Sequence, residues 1–281
     1  MLTISIPSAD IIRHFADLAK HYLSSIAADT SFGGEYAHLR MLSEKLDIKN
    51  GFIVDMAASD GVEQSCTLGF FKDPNWAGLA IEMEPLKFSR LAFLHSNFPN
   101  SRLARSRITP INIAALLQGF EVPADFSVLN LDIDSYDLDV VDAILKSGYR
   151  PKIISMEINE KIPPPLYFNV DFRADHVWQT DHFFGCSLAA AAHVVRAHGY
   201  ILESLQYNNA VFVRADLAKD KFTDQPVATA YDIGYRNKPD RATLFPWNAD
   251  MDCLLGYTPE QAVEFINTYY KKYAGKYTLH I

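Results

Sequence analysis

Two sets of carboxylates stand out because each closes a short apolar run. The first is a pair: Asp55 ends Phe52-Ile53-Val54, and Glu82 ends the run AGLAI one unit later. The second is denser, with Asp132 and Asp134 closing SVLNLDID and Glu157, Asn159 and Glu160 closing IISMEINE. In a parallel sheet such strand ends share one edge, so some of these groups must crowd together. An acid at the second strand's carboxyl end is placed to hydrogen-bond a ribose. Crowded carboxylates repel, and such a group holds a divalent cation, shares a proton or engages a basic substrate. Asp, Glu and an Asn amide oxygen are hard donors suited to Mg²⁺, Mn²⁺ or Ca²⁺. Asp132, Asp134, Glu157 and Asn159 are therefore the candidate metal ligands, and Asp132 or Asp134 the candidate base. The plainer alternative makes one aspartate a helix cap and pairs Glu157 with an arginine. His182, in QTDHFFG, is a further candidate base or ligand, whereas His193 and His198 fall inside a helix and read as structural.

The elements that must position these groups can be read in order. Ser8 caps a first helix with Ile11, Ile12, Phe15, Leu18, Tyr22 and Leu23 on one face. Gly33-Gly34 is a break before a helix from about Tyr36 to Leu46, close enough to the first strand to fold over a ligand at its end. GFIVDMAASDG then reads as a buried strand, an acid and a small-residue turn, followed by a helix in VEQSCTLGFF. This is how an open α/β sheet brings backbone N–H groups to a ligand. Later come PLKFSRLAFLHSN as a helix, a short strand around Arg102 to Ile108, and a helix capped by Thr109 with Pro110 at its first position. A helix from Gly185 to His198 follows the Pro163-Pro164-Pro165 stretch, and Asn208-Asn209 joins two closing strands. Strands alternating with helices and ending in an antiparallel pair predict an α/β fold. Its sheet is mostly parallel, with helices on both faces and a closing antiparallel hairpin. From Asp216 the chain is polar, proline-bearing and aperiodic, which predicts a long ordered loop or lid. A final helix starts at Thr258-Pro259-Glu260, with Ala262, Phe265, Ile266, Tyr269 and Tyr270 as its buried stripe.

Composition narrows the function classes. The chain has 281 residues, of which 49% are hydrophobic and 21% charged, enough for one large α/β domain with an annex. A net charge of −8 argues against a non-specific nucleic-acid or anionic-membrane binder. Three widely spaced cysteines without metal-ligand spacing point to a reduced, cytoplasmic interior. The amino terminus lacks the basic start and apolar core of a signal peptide, and CSLAAAAHVV is too short to span a bilayer.

Taken together, these residues resemble the FkbM-like group of S-adenosylmethionine-dependent methyltransferases over Gly33 to Arg214. FGGEYAHL is similar to that group's Gly-x-Glu/Gln segment. GFIVDMAASDGVEQSCT is similar to its first-strand motif, with Ala57 and Cys66 where the group has Gly and Asn. Trp76-Ala77-Gly78 with Ile81-Glu82 resembles the end of its second strand. NLDIDSYD, MEINEKIPPP, GCSLAAAAHVVRAHGY and NNAVFVR resemble its later motifs.

The resemblance implies a Rossmann-like class I methyltransferase fold and an O-methyltransferase acting on a sugar or secondary metabolite. It implies S-adenosylmethionine as cofactor, held by Gly33, Glu35, Asp55, Ala57, Ala58, Asp60, Gly61, Ser65, Glu82, Met83, Ile108 and Thr109. Within that set Asp55 to Gly61 would line the methionine end, Glu82 the ribose, and Ile108-Thr109 the adenine. The expected organisation is a helical cap (1–50), a cofactor-binding core (51–215) and a lid with a last helix (216–281). The expected partner is a small-molecule or glycan acceptor, with homo-oligomerisation open. Two rivals come from other classes. Asp132-Ile133-Asp134 is also how a glycosyltransferase holds Mn²⁺ against a nucleotide-sugar, although the paired acids Asp55 and Glu82 are not part of that pattern. Ala57 prompts a non-catalytic ligand-binding protein.

Overall fold

Every residue of β1 (Gly51–Met56) is buried, as an apolar run with solvent on neither face must be. The computed structural model describes residues 9–25 and 29–281. Eight further strands follow: β2 (Trp76–Glu82), β3 (Ser101–Arg105), β4 (Val128–Leu131), β5 (Ile153–Glu157), β6 (Tyr167–Val170), β7 (Tyr200–Gln206), β8 (Asn209–Arg214) and β9 (Tyr277–His280). Seven form one sheet in the order β3-β2-β1-β4-β5-β8-β7. β1 to β5 pair parallel, β8 pairs antiparallel with both β5 and β7, and so β8 alone runs against the rest. This is a Rossmann-like arrangement, mostly parallel and closed by an antiparallel hairpin, as the alternation of strands and helices predicted. The strand order reverses between β1 and β4, and there the carboxyl ends open a crevice.

Helices cover both faces. They are α1 (Ala9–Ser24), α2 (Glu35–Lys45), α3 (Leu68–Lys72), α4 (Pro85–His95), α5 (Ile113–Gly119), α6 (Asp137–Lys146) and α7 (Leu188–Ala197). The side-chain alternation of β1 divides the core between them. Phe52, Val54 and Met56 join Ile113, Leu117, Val141 and Val195 on the α5–α7 side. Ile53 joins Leu39, Leu42, Phe70 and Leu91 on the other. Each fully buried side chain of this size contributes roughly 1.5–3 kcal/mol, so the two layers fix the strand ends firmly. Gly78 shows how close the packing is: a Cβ there would lie 2.5 Å from the Phe71 ring and 2.8 Å from the Ile53 carbonyl oxygen.

Several sequence expectations need correction. VEQSCTLGFF turns helical only from Leu68, in the short helix Leu68–Lys72. The Ser65 hydroxyl accepts from the Leu68 N–H at 3.1 Å and the Thr67 hydroxyl donates to Asp55 at 2.6 Å, which holds the preceding residues in turns. Thr109 accepts from the Asn112 N–H at 3.2 Å, but this caps an opening turn and α5 begins at Ile113. The hairpin turn is Tyr207-Asn208, with Tyr207 at φ +55° and Asn209 already in β8. In α1 Leu18 is buried, whereas Tyr22 and Leu23 are 42% and 64% exposed. The Ser8 cap and the Ile11, Ile12 and Phe15 side chains lie outside the described residues.

The carboxy-terminal region holds a unit that sequence patterning did not resolve. β6 and β9 form a separate antiparallel pair. With the last helix, Pro259–Tyr269, they enclose Phe168, Phe183, Met251, Ile266 and Tyr270. That helix starts as expected, on a capping box between Thr258 and Gln261. Of its expected stripe, Ala262, Ile266 and Tyr270 are buried and Tyr269 is 38% exposed. The aperiodic stretch after Asp216 is broken into short helical turns, among them Val227–Tyr231, Asp232–Arg236 and Arg241–Leu244. Among the described residues no helix is long and apolar enough to cross a membrane.

Candidate active site

The turn after β1 is organised by two carboxylates. Asp55 stands beside Asn130 in the β1–β4 register and accepts its side-chain N–H at 2.8 Å, while its other oxygen accepts from Thr67 at 2.6 Å. Burial pushes the Asp55 carboxyl up, and these two donors oppose the shift. Asn130 in turn accepts the Cys66 thiol at 3.1 Å. Glu82 binds the turn from the neighbouring strand. One of its oxygens accepts from the Ser59 N–H at 2.9 Å and the other from the Glu84 N–H at 2.6 Å. The Ala57 and Ala58 N–H groups both donate to the Ile81 carbonyl at 2.9 Å. Ala57 adopts φ +67°, a left-handed conformation that costs a residue with a Cβ roughly 1–2 kcal/mol. Asp60 closes the turn by accepting from the Val62 and Glu63 N–H groups at 2.9 and 3.0 Å.

On the other side of the switch point lies the acid cluster. Asp132, Asp134 and Glu157 each place a carboxylate oxygen within 4.8 Å of the others'. Burial, then the charges of Asp134 and Asp137, pushes Asp132 up to about 8. Burial and its acidic neighbours drive Glu157 well above its ordinary range. Burial raises Asp134, and Lys87 and Lys161 oppose this. Asp137 holds the loop by accepting from the Ile133 and Ser135 N–H groups at 2.8 and 3.0 Å. Glu157 accepts from Asn208 at 3.0 Å through one oxygen, while the other is buried without a partner. Glu35, at the start of α2, reaches the same space. It accepts from Asn209 at 2.6 Å, and burial raises it to about 8 against that bond.

These two groups open on one cleft of about 700 Å³. Of the residues singled out from the sequence, Glu35, Asp55, Ala57, Ala58, Asp60, Ser65, Glu82, Met83, Ile108, Asp132 and Asp134 line it. Gly33, Gly61, Thr109, Glu157, Asn159 and His182 are not in its lining. Gly33 lies against the Tyr207 ring and Gly61 against Leu91 of α4. Asn159 is turned to the 182–184 loop, donating to the His182 and Phe184 carbonyls at 2.9 and 3.0 Å. It is not among the three residues that meet in the carboxylate cluster. The His182 ring is bonded to Asp250 at 3.1 Å, beside the carboxy-terminal unit.

The lining also contains residues that sequence reasoning missed. Lys87 and Arg90 come from α4, Arg107 and Tyr136 from loops after β3 and β4, and His176, Val177 and Trp178 from the segment after β6. The exposed face of α4 was a signal for the first two, since a helix following the ribose-side acid must border the same crevice. No comparable signal marks residues 176–178. None of residues 216–281, expected as a lid, lines this cleft. Asn248 and Tyr231 instead bond Glu160, at 2.6 Å each, behind β5.

No family model matches the chain, and no curated protein matches it in sequence. Its path is similar to the N-terminal domain of EvdMO1, solved in the presence of SAH and D-fucose. That match has 12% identity, covers 64% of this chain and 82% of that one, and has a TM-score of 0.42. It is also similar to the CurJ carbon methyltransferase, at 12% identity, covering 64% of this chain and 53% of that one, with a TM-score of 0.42. A third likeness is to an O-methyltransferase family protein from Burkholderia thailandensis, at 12% identity, covering 74% of this chain and 73% of that one, with a TM-score of 0.37. Likenesses of this size carry no weight for chemistry, and what the cleft does is decided by its own side chains.

Proposed function

We propose that the chain is an S-adenosylmethionine-dependent methyltransferase that methylates a hydroxyl of a small-molecule acceptor, a sugar or a secondary metabolite. The observation that carries this reading is the pair Asp55 and Glu82, buried at adjacent strand ends and opening on one cleft with the Asp132 cluster. Each Glu82 oxygen accepts one backbone N–H and keeps a lone pair, so the carboxylate can take both ribose hydroxyls. Met83 and Ile108 offer apolar surface for an adenine. Glu35 and the turn from Ala57 to Asp60 face the amino-acid end. When bound, the cofactor supplies an electrophilic methyl group on a sulfonium, a cation that a cleft rich in carboxylates suits.

The acceptor hydroxyl needs a base. Asp132, raised to about 8, is matched to proton removal near neutral pH, because a base of ordinary carboxylate strength is too weak there. Burial, with the charges of Asp134 and Asp137, keeps it raised. The same three side chains fit Mg²⁺ or Mn²⁺, since one carboxylate oxygen of each lies within 4.8 Å of the others' and one Glu157 oxygen is buried without a hydrogen-bond partner. Such an ion would lower the pKa of the acceptor hydroxyl.

Thermal-shift titration with S-adenosylhomocysteine tests the reading, with and without EDTA. The ligand should raise the melting temperature of the wild type. Glu82→Ala should keep the fold and lose most of that shift. Methyl transfer to a panel of hydroxyl acceptors should stop in EDTA and return with Mg²⁺. Full turnover in EDTA would leave Asp132 acting as base without an ion, and an unshifted wild type would end the methyltransferase reading.

A further inference from the structure

One wall of the cleft comes from a loop in which the sequence carries no motif, residues 171–184. Its His176, Val177 and Trp178 line the cavity. The loop is held in place from both ends. Arg107 donates to the Tyr136 hydroxyl at 3.2 Å, to the Ala174 carbonyl at 2.9 Å and to the His176 carbonyl. A planar guanidinium spread over three acceptors has little freedom left. At the other end the Trp178 indole N–H donates to the Asp181 carbonyl at 2.7 Å, and the Asp181 carboxylate accepts from Lys272 at 2.9 Å.

Two apolar groups nevertheless remain at the cleft. Val177 is 59% exposed and Trp178 is half-buried. The indole packs edge-on against Phe184, with centroids 6.1 Å apart, and Phe184 carries the Lys161 ammonium over its face at 4.3 Å. Next to Phe184 the Gly185 N–H donates to the Ser135 carbonyl at 2.7 Å, in the loop that carries Asp134, so Trp178 stands on the acid-cluster side of the cleft. With its N–H already engaged, the indole has only ring surface to offer a ligand, and ring surface favours a flat partner. Because the loop is held beforehand, stacking there loses little conformational freedom.

We infer that this loop is the acceptor wall, and that Trp178 selects an acceptor with a flat apolar ring beside its reacting hydroxyl. The inference rests on the methyltransferase reading. Arg107 is a positioning residue for the wall.

Catechol, a flat ring with adjacent hydroxyls, and 1,2-propanediol, which has the hydroxyls alone, are the probes. Each is titrated by NMR into the protein saturated with S-adenosylhomocysteine. Catechol should bind, and propanediol should bind more weakly. Trp178→Ala should weaken catechol binding about three- to ten-fold, the size of an aromatic contact, and Trp178→Phe should restore most of it. Arg107→Ala should weaken catechol similarly, because the wall is no longer held. S-adenosylhomocysteine affinity should be the same in both Trp178 variants. The inference is overturned if catechol does not bind, if the probes bind equally, or if Trp178→Ala leaves catechol unchanged. It is also overturned if Trp178→Ala weakens the nucleoside itself, because the indole would then belong to the cofactor. Failure of S-adenosylhomocysteine to bind the wild type is a separate result, which removes the parent reading and the inference with it.

Discussion

Among single residues, the carboxylates of the cleft divide by what they accept. Asp55 and Glu82 accept two donors each and serve as fixed anchors of the turn between them. Glu35, Asp132 and Glu157 are driven up chiefly by burial. This makes stability depend on pH in a defined direction. A carboxyl that is raised in the folded state holds its proton more tightly there than in the unfolded chain. Glu35 moves from 4.5 to about 8, so its contribution is complete below about 4.5 and is lost as pH rises through 8. The wild-type melting temperature should therefore fall between pH 5 and pH 8.5, and Glu35→Gln should make that slope shallower, by a few degrees over the interval. Melting curves across this range check it, and identical slopes would show that Glu35 titrates normally. Asp55, Glu82, Asp132 and Glu157 were legible in the sequence because each closes an apolar run, whereas Glu35, at a helix start, was indicated only by the family resemblance. Their separate roles were not, because a hydrogen-bond partner such as Asn209 or Thr67 is chosen by the fold.

At the scale of elements, the NEK segment after β5 holds the carboxy-terminal unit to the sheet. Glu160 is buried and accepts from Asn248 at 2.6 Å and from Lys161 at 3.0 Å. Asn248→Ala would leave a buried carboxylate short of a donor, a loss of about 1–3 kcal/mol. Chemical denaturation should show that loss, while calorimetry should find S-adenosylhomocysteine affinity unchanged; a matched loss of affinity would mean that this unit shapes the cleft after all. The sheet core was readable since β1, β2, β4 and β5 are apolar runs bounded by acids and turns. β6 and β9 were not, being four residues each and paired across more than a hundred residues of chain. The wall at 176–178 escaped for a related reason. It has no periodicity of its own, and what holds it at the cleft includes the Arg107 hydrogen bonds to the Ala174 and His176 carbonyls, a contact distant in sequence.

For the whole molecule, the topology does most of the placing. Strand order reverses between β1 and β4, which brings Asp55 and Glu82 and the Asp132 cluster to opposite sides of one crevice. A chain with net charge −8 and a carboxylate-rich cleft favours a cationic ligand over a polyanionic one. That contrast separates S-adenosylmethionine from the nucleotide-sugar diphosphate of the main rival reading. Calorimetric titration of the wild-type protein with S-adenosylmethionine, with its demethylated product S-adenosylhomocysteine, which lacks the sulfonium charge, and with UDP-glucose, each with and without Mg²⁺, tests it most directly. The account predicts one-to-one binding of S-adenosylmethionine and S-adenosylhomocysteine in the absence of metal and no heat from UDP-glucose. Silence with millimolar S-adenosylhomocysteine, or Mg²⁺-dependent binding of UDP-glucose, would contradict it.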